Sequence, residues 1–175
     1  AEGIVNYYQN EKNILLLELN SETDFVARDS NFIDLAKSIA NKLLENDESD
    51  VINEISDEIK SIISKLGENI KLRRFTKIEK NNYVYGYAHN NKIASIVELK
   101  EEDEKLAKDI CMQIVASNPL ALNEASLDSG TLLSEKEIYK KELDNIDKKD
   151  DIKRNILEGK MKKFINDNTL LNQPF

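Results

Sequence analysis

The chain has 175 residues, 40% of them hydrophobic and 33% charged, with a mean hydropathy of -0.54, which describes a soluble globular protein of one or two small domains. Its longest apolar runs, such as residues 14–17, fall far short of the roughly 20 residues that a membrane-spanning helix needs, and no basic, apolar leader opens it, so a cytoplasmic or organelle-matrix address is expected. The net charge of -8 comes from residues 1–67, with 14 acidic and 6 basic residues against 19 of each in the remainder; an acidic half without a basic stripe argues against a nucleic-acid groove and favours a protein partner.

Residues 3–9 and 13–20 read as two strands around Asn10-Glu11-Lys12, a short polar turn that suits a hairpin. The run 14–19 is apolar enough to be buried. A connector follows, Ser21-Glu22-Thr23-Asp24-Phe25-Val26-Ala27-Arg28, before the helical stripe that begins at Phe32. These residues are therefore expected to serve something other than core. From the residues alone, Phe25 either closes as a staple on its own helix or stands clear as a wedge.

Phe32, Leu35, Ala36, Ile39, Ala40 and Leu43 recur on one face of a helix that covers a sheet. A second helix is predicted from about Asp50 to Leu66, with Ile52, Ile55, Ile59, Ile62, Ile63 and Leu66 inward and Gly67 as its left-handed stop. Residues 70–78 return as a strand. Residues 83–87 and 93–99 form a second hairpin turning at His89-Asn90-Asn91, where Asn tolerates positive φ. The next helix has Glu101, Glu102, Asp103 and Glu104 at its positive end, Leu106, Ile110 and Ile114 as its inner stripe, and Pro119 as its stop.

Ser134-Glu135-Lys136-Glu137 has the form of a capping box, with Leu133 and Ile138 at the positions of a hydrophobic staple, so a helix is expected to start there. Tyr139, Leu143 and Ile146, then Ile152, Ile156, Leu157, Met161 and Phe164 after a polar turn, supply one narrow seam between two antiparallel helices. The expected fold is α+β: two small antiparallel β-sheet plus helix subdomains with an inserted antiparallel coiled-coil helical hairpin. The predicted boundaries are 1–80 and 81–133 for the subdomains and 134–166 for the hairpin, leaving 167–175 as a tail.

Cys111 is the only cysteine and His89 the only histidine, which leaves no intrachain disulfide and no zinc cluster. No Gly-rich phosphate loop, nucleophile elbow or metal-spaced cluster is present. An enzyme is therefore not expected, and neither metal nor cofactor; a carboxylate-based hydrolase is the weaker rival, and a dimerisation or scaffold module the stronger. On pattern alone His89 is a surface turn residue and Leu66 a core residue.

Several segments taken in order resemble one family. They are residues 19–28, Gly67-Glu68-Asn69-Ile70 with Arg73-Arg74, Tyr87 and His89 followed by Ile93, residues 109–114 with Pro119, and residues 158–164 running on to Gln173-Pro174-Phe175. Together they resemble the elongation factor Ts family, nucleotide-exchange factors for elongation factor Tu. The resemblance implies that Thr23-Asp24-Phe25-Val26 intrudes into the partner's GTPase domain and disturbs its Mg²⁺ and phosphate site. Phe25 would be the wedge and Asp24 would position it, with Leu66 and His89 as secondary contacts. It further implies binding to elongation factor Tu in GDP-bound and nucleotide-free forms, with no catalytic residue, no direct nucleic acid and no membrane, and it leaves self-association open. Family members usually begin with a three-helix, ubiquitin-associated-like module and continue past Phe175, so the chain reads as a core fragment. Asn90 stands where the family usually has Gly.

Overall fold

The computed structural model describes residues 1–175. The architecture is α+β, as the periodicities predict, with five strands in two antiparallel sheets and six α-helices. The chain divides into two compact units, Ala1–Val115 and Ala116–Phe175.

In the first unit, β1 (Glu2–Gln9) and β2 (Asn13–Ser21) form the expected hairpin. Its turn is closed by the Asn10 side chain, whose Oδ1 accepts from the backbone N–H of Lys12 at 3.0 Å and of Asn13 at 2.7 Å; a short amide can thus stand in for a backbone turn. Strand β3 (Lys71–Glu79) pairs on the other side of β2, giving the order β1-β2-β3. The middle strand is accordingly the most apolar. Leu15, Leu17 and Leu19 alternate onto one face and enter the core with Ile4. The register shifts between Glu18 and Leu19, where Arg73 of the edge strand has no partner of its own.

Two helices join that core. Helix α2 (Ser30–Glu45) contributes the predicted Phe32, Leu35, Ala36, Ile39, Ala40 and Leu43, with Leu44 beside them. Helix α3 (Glu48–Leu66) buries Val51 and Ile55, while Ile52, expected in the stripe, is exposed. Val51 lies about 40° from Ile55 around the helix and Ile52 about 60° from it on the other side. Gly67 ends α3 at φ 75 in the left-handed region, as predicted, and its N–H donates to the Ile63 carbonyl.

Strands β4 (Tyr83–His89) and β5 (Ile93–Leu99) make the second sheet. Asn90 and Asn91 occupy its turn at φ 53 and 55, the left-handed pair that a tight hairpin demands. The hairpin lies against β1: the Val5 N–H donates to the Asn91 carbonyl at 2.8 Å, and a Cβ on Gly86 would stand 2.5 Å from the Tyr7 ring. Helix α4 (Glu104–Ser117) buries Ala107 and Cys111, whereas Leu106, expected inside, is exposed. Two small residues let the helix approach closely, and the Ser95 hydroxyl donates to the Cys111 carbonyl at 3.0 Å. The helix stops at Ser117, with Asn118 at φ 46 before Pro119.

The second unit holds α5 (Ser129–Asp144) and α6 (Asp150–Asn168). The cap expected at Ser134 is instead at Asp128, whose carboxylate accepts from the Thr131 N–H at 3.0 Å and hydroxyl at 3.1 Å. The helix is thus already running when it reaches Ser134, and the Glu137 N–H that a capping box would satisfy belongs to the helical ladder. Leu133 and Ile138 are exposed, so no staple forms. Helices α5 and α6 touch, with the Lys160 ammonium 3.2 Å from the Glu142 carboxylate and over the Tyr139 ring. Leu143 is buried, whereas Ile146 and Ile152 at the seam's end are exposed. Thr169 is fully buried beside Ala121, and the Leu170 N–H donates to the Ala121 carbonyl at 2.9 Å. No helix is long and apolar enough to cross a membrane.

Candidate functional site

The connector after β2 folds as one helical turn, α1 (Asp24–Arg28). Five residues cannot sustain a helix alone, since nucleation is costly and each end lacks hydrogen-bond partners. The turn is therefore held from outside. Val26 and Ala27 are buried and belong to the core, which corrects the expectation that the connector spends nothing on packing. Phe25, between those anchors and Asp24, points the other way and is 81% exposed, the highest value of any large apolar residue in the chain. It does not close as a staple. Leaving a phenylalanine in water forgoes about 1.5–3 kcal/mol of burial.

The start of the turn is fastened to the segment just past Gly67. Thr23 donates its backbone N–H to Glu68 Oε2 at 3.0 Å and its hydroxyl to Glu68 Oε1 at 2.6 Å. The Thr23 hydroxyl oxygen in turn accepts from the Val26 N–H at 3.4 Å and caps α1. The Thr23 carbonyl accepts from the buried Ser21 hydroxyl at 2.9 Å, and the Asn69 N–H donates to Glu22 Oε1 at 3.3 Å. Two segments remote in sequence are thereby laced by reciprocal bonds. Asp24 faces solvent in an i, i+4 ion pair, 2.8 Å from the Arg28 guanidinium.

The other two candidates are placed differently. Leu66 is half-buried and packs against the core immediately before Gly67, so its backbone borders the laced segment while its side chain serves packing. His89 is exposed at the end of β4, its Nε2 3.2 Å from the Asn90 amide. Its turn is tied to β1 by the Val5–Asn91 bond and by Lys92, whose ammonium is 2.6 Å from Glu2 and holds that carboxyl below the usual range. Glu2 pairs in register with Ser21, three residues before α1. Thr23, Asp24 and Phe25, the backbone at Leu66 and the His89 turn therefore gather at one end of the first sheet; the side chains of Val26 and Leu66 turn inward from it.

No group of three or more His, Cys, Asp or Glu side chains gathers as a metal site. The arrangement presents an aromatic side chain on a braced turn, which is the form of a contact surface.

A family model described as Elongation factor TS matches residues 22–175. The chain belongs to the elongation factor Ts family. Among its curated relatives, elongation factor Ts of Marinobacter nauticus is 40% identical over 182 residues, taking in 100% of this chain and 63% of that protein. Elongation factor Ts of Halothermothrix orenii is 38% identical over 194 residues, with 100% and 65% covered. The Clostridium acetobutylicum protein of the same name is 40% identical over 193 residues, with 99% and 63% covered. The chain thus spans less than two thirds of the length of these elongation factor Ts relatives.

Glu68 is the residue that sequence reasoning passed over. It lies in a stretch that resembles the family, yet its bond to Thr23 spans 45 residues, a separation no local periodicity can reveal. The one available signal was its place directly after Gly67, where a left-handed residue turns the chain back toward the sheet.

Proposed function

We propose that the chain is a guanine-nucleotide exchange factor for elongation factor Tu and carries out no bond chemistry of its own. The observation that carries this reading is the exposure of Phe25 on a turn whose neighbours are fixed to the core and to Glu68. In the proposed mechanism Phe25 enters the partner's GTPase domain beside the nucleotide and displaces side chains there. Intrusion of Phe25 there would loosen the partner's hold on its Mg²⁺ and so on the β-phosphate. Asp24 exchanges its Arg28 partner for donors on the GTPase and keeps the wedge in place. His89 adds a second, weaker contact.

The wedge cannot supply all the energy. Speeding release about ten-thousandfold requires about 5.5 kcal/mol of differential stabilisation, while burying one phenylalanine yields about 1.5–3 kcal/mol. The remainder must come from a wider interface, on the order of 1,600 Å². By linkage, nucleotide weakens the factor's binding as much as the factor weakens nucleotide binding.

Release of labelled GDP from elongation factor Tu, measured with the chain and with Phe25→Ala, tests this. The variant should be slower by about tenfold to a hundredfold with unchanged thermal stability, because Phe25 contributes little to the core. His89→Ala should show a smaller loss. Equal rates for the parent and Phe25→Ala would sink the wedge. An affinity for the partner that ignores added GDP would favour a scaffold over an exchange factor.

A further inference from the structure

Glu68 makes no contact with the partner in the mechanism above, yet more hydrogen bonds bear on Thr23 from it than from any other side chain. Both of its oxygens are used. Oε1 takes the Thr23 hydroxyl proton at 2.6 Å, and Oε2 takes the Thr23 backbone N–H at 3.0 Å. We propose that Glu68 is a positioning residue for exchange, clamping Thr23 so that Phe25 is presented in one fixed direction. The proposal rests on Phe25 being the wedge.

The geometry works as a relay. Because the hydroxyl proton is committed to Glu68, the hydroxyl lone pairs turn toward the Val26 N–H, which is the cap of α1. Phe25 is the second residue of that turn, between the cap and the buried Val26. The core fixes the inner side of α1, and at its start the Thr23 bonds act together with the exposed Asp24–Arg28 pair. The clamp itself is braced, since Gly67 at φ 75 reverses the chain behind Glu68 and the Asn69 N–H reaches back to Glu22. A carboxylate accepting two donors from one residue fixes direction as well as distance.

Without the clamp, the start of α1 frays and Phe25 samples many directions. Docking through the rest of the interface is unaffected, but the ordering of about one residue must then accompany insertion, which slows that step about tenfold. In GDP release titrated with increasing chain, Glu68→Ala should therefore lower the plateau rate about tenfold and leave the half-saturating concentration unchanged. A purely structural role does the reverse: fewer folded molecules raise the concentration needed and leave the plateau alone. Glu68→Gln, which keeps one acceptor oxygen for Thr23, should recover part of the plateau rate.

Amide hydrogen exchange at Thr23 reads the clamp without any partner, and protection should fall in Glu68→Ala. A full plateau in Glu68→Ala alongside a lost one in Phe25→Ala overturns the clamp and spares the wedge. A full plateau in Phe25→Ala removes the wedge, and the positioning role goes with it even where Thr23 protection falls. If Glu68→Ala does not fold, Glu68→Gln makes the same comparison, and a full plateau for it overturns the proposal.

Discussion

Phe25 and Val26 are neighbours with opposite fates, one in solvent and one in the core, and that contrast makes a rigid pedestal from a single helical turn. Single side chains around it differ greatly in weight. The Asp24–Arg28 pair joins two exposed groups, and such pairs contribute about 0.3–0.5 kcal/mol at most; Arg28→Ala should shift a denaturant midpoint barely at all. Cys111 is the opposite case. It is fully buried, and burial pushes its thiol above the ordinary value. A raised acid keeps its contribution to stability below its unfolded value and loses it as pH rises through the folded one. Denaturant midpoints should therefore fall on the alkaline side in the parent and stay flatter in Cys111→Ala, and a thiol reagent should label Cys111 only after unfolding. Phe25 was legible as an outlier because the helical stripe starts seven residues later. Val26 was not, because two adjacent inward residues in a five-residue turn leave no period to detect.

At the scale of elements, both hairpins and the two long helices of the first unit were readable, since alternation and the 3.6-residue period run through them for several turns. The errors have separate causes. Leu106 is larger and more apolar than Ala107 or Cys111, but position on the helix face decides burial, and small residues win where a helix must approach closely. The misplaced start of α5 arose because two caps compete in the same stretch and the earlier one nucleates. Asp128→Ala should thus cost about 0.5–2 kcal/mol, whereas Ser134→Ala, inside the helix, should be neutral or slightly stabilising; helicity and thermal unfolding of the two variants separate these outcomes. Gly86→Ala should destabilise by about 1–3 kcal/mol, because the added methyl meets the Tyr7 ring. Here too the sequence shows only a glycine in a strand, and its partner lies in another sheet.

For the whole molecule, the principal core is confined to residues between Ile4 and Ile70, all in the first unit, while the second unit buries only Leu127, Leu143 and Thr169. Stability should follow that division. A fragment ending after Ser117 should unfold cooperatively on heating, and a fragment holding the remaining residues should show a broad, weakly cooperative melt by circular dichroism. A sharp transition in the latter alone would contradict the burial pattern.

Strand β1 carries one more implication. It pairs with β2, whose last residue leads into the Phe25 turn, and it also holds the His89 turn through Val5 and Glu2. Both protrusions are therefore indexed to a single strand, and a slip of one residue in its pairing would turn every side chain on it to the opposite face. The pairing of β1 thereby helps to set the spacing between them. A surface that receives both must match that spacing, and this selects among surfaces before any individual contact is made.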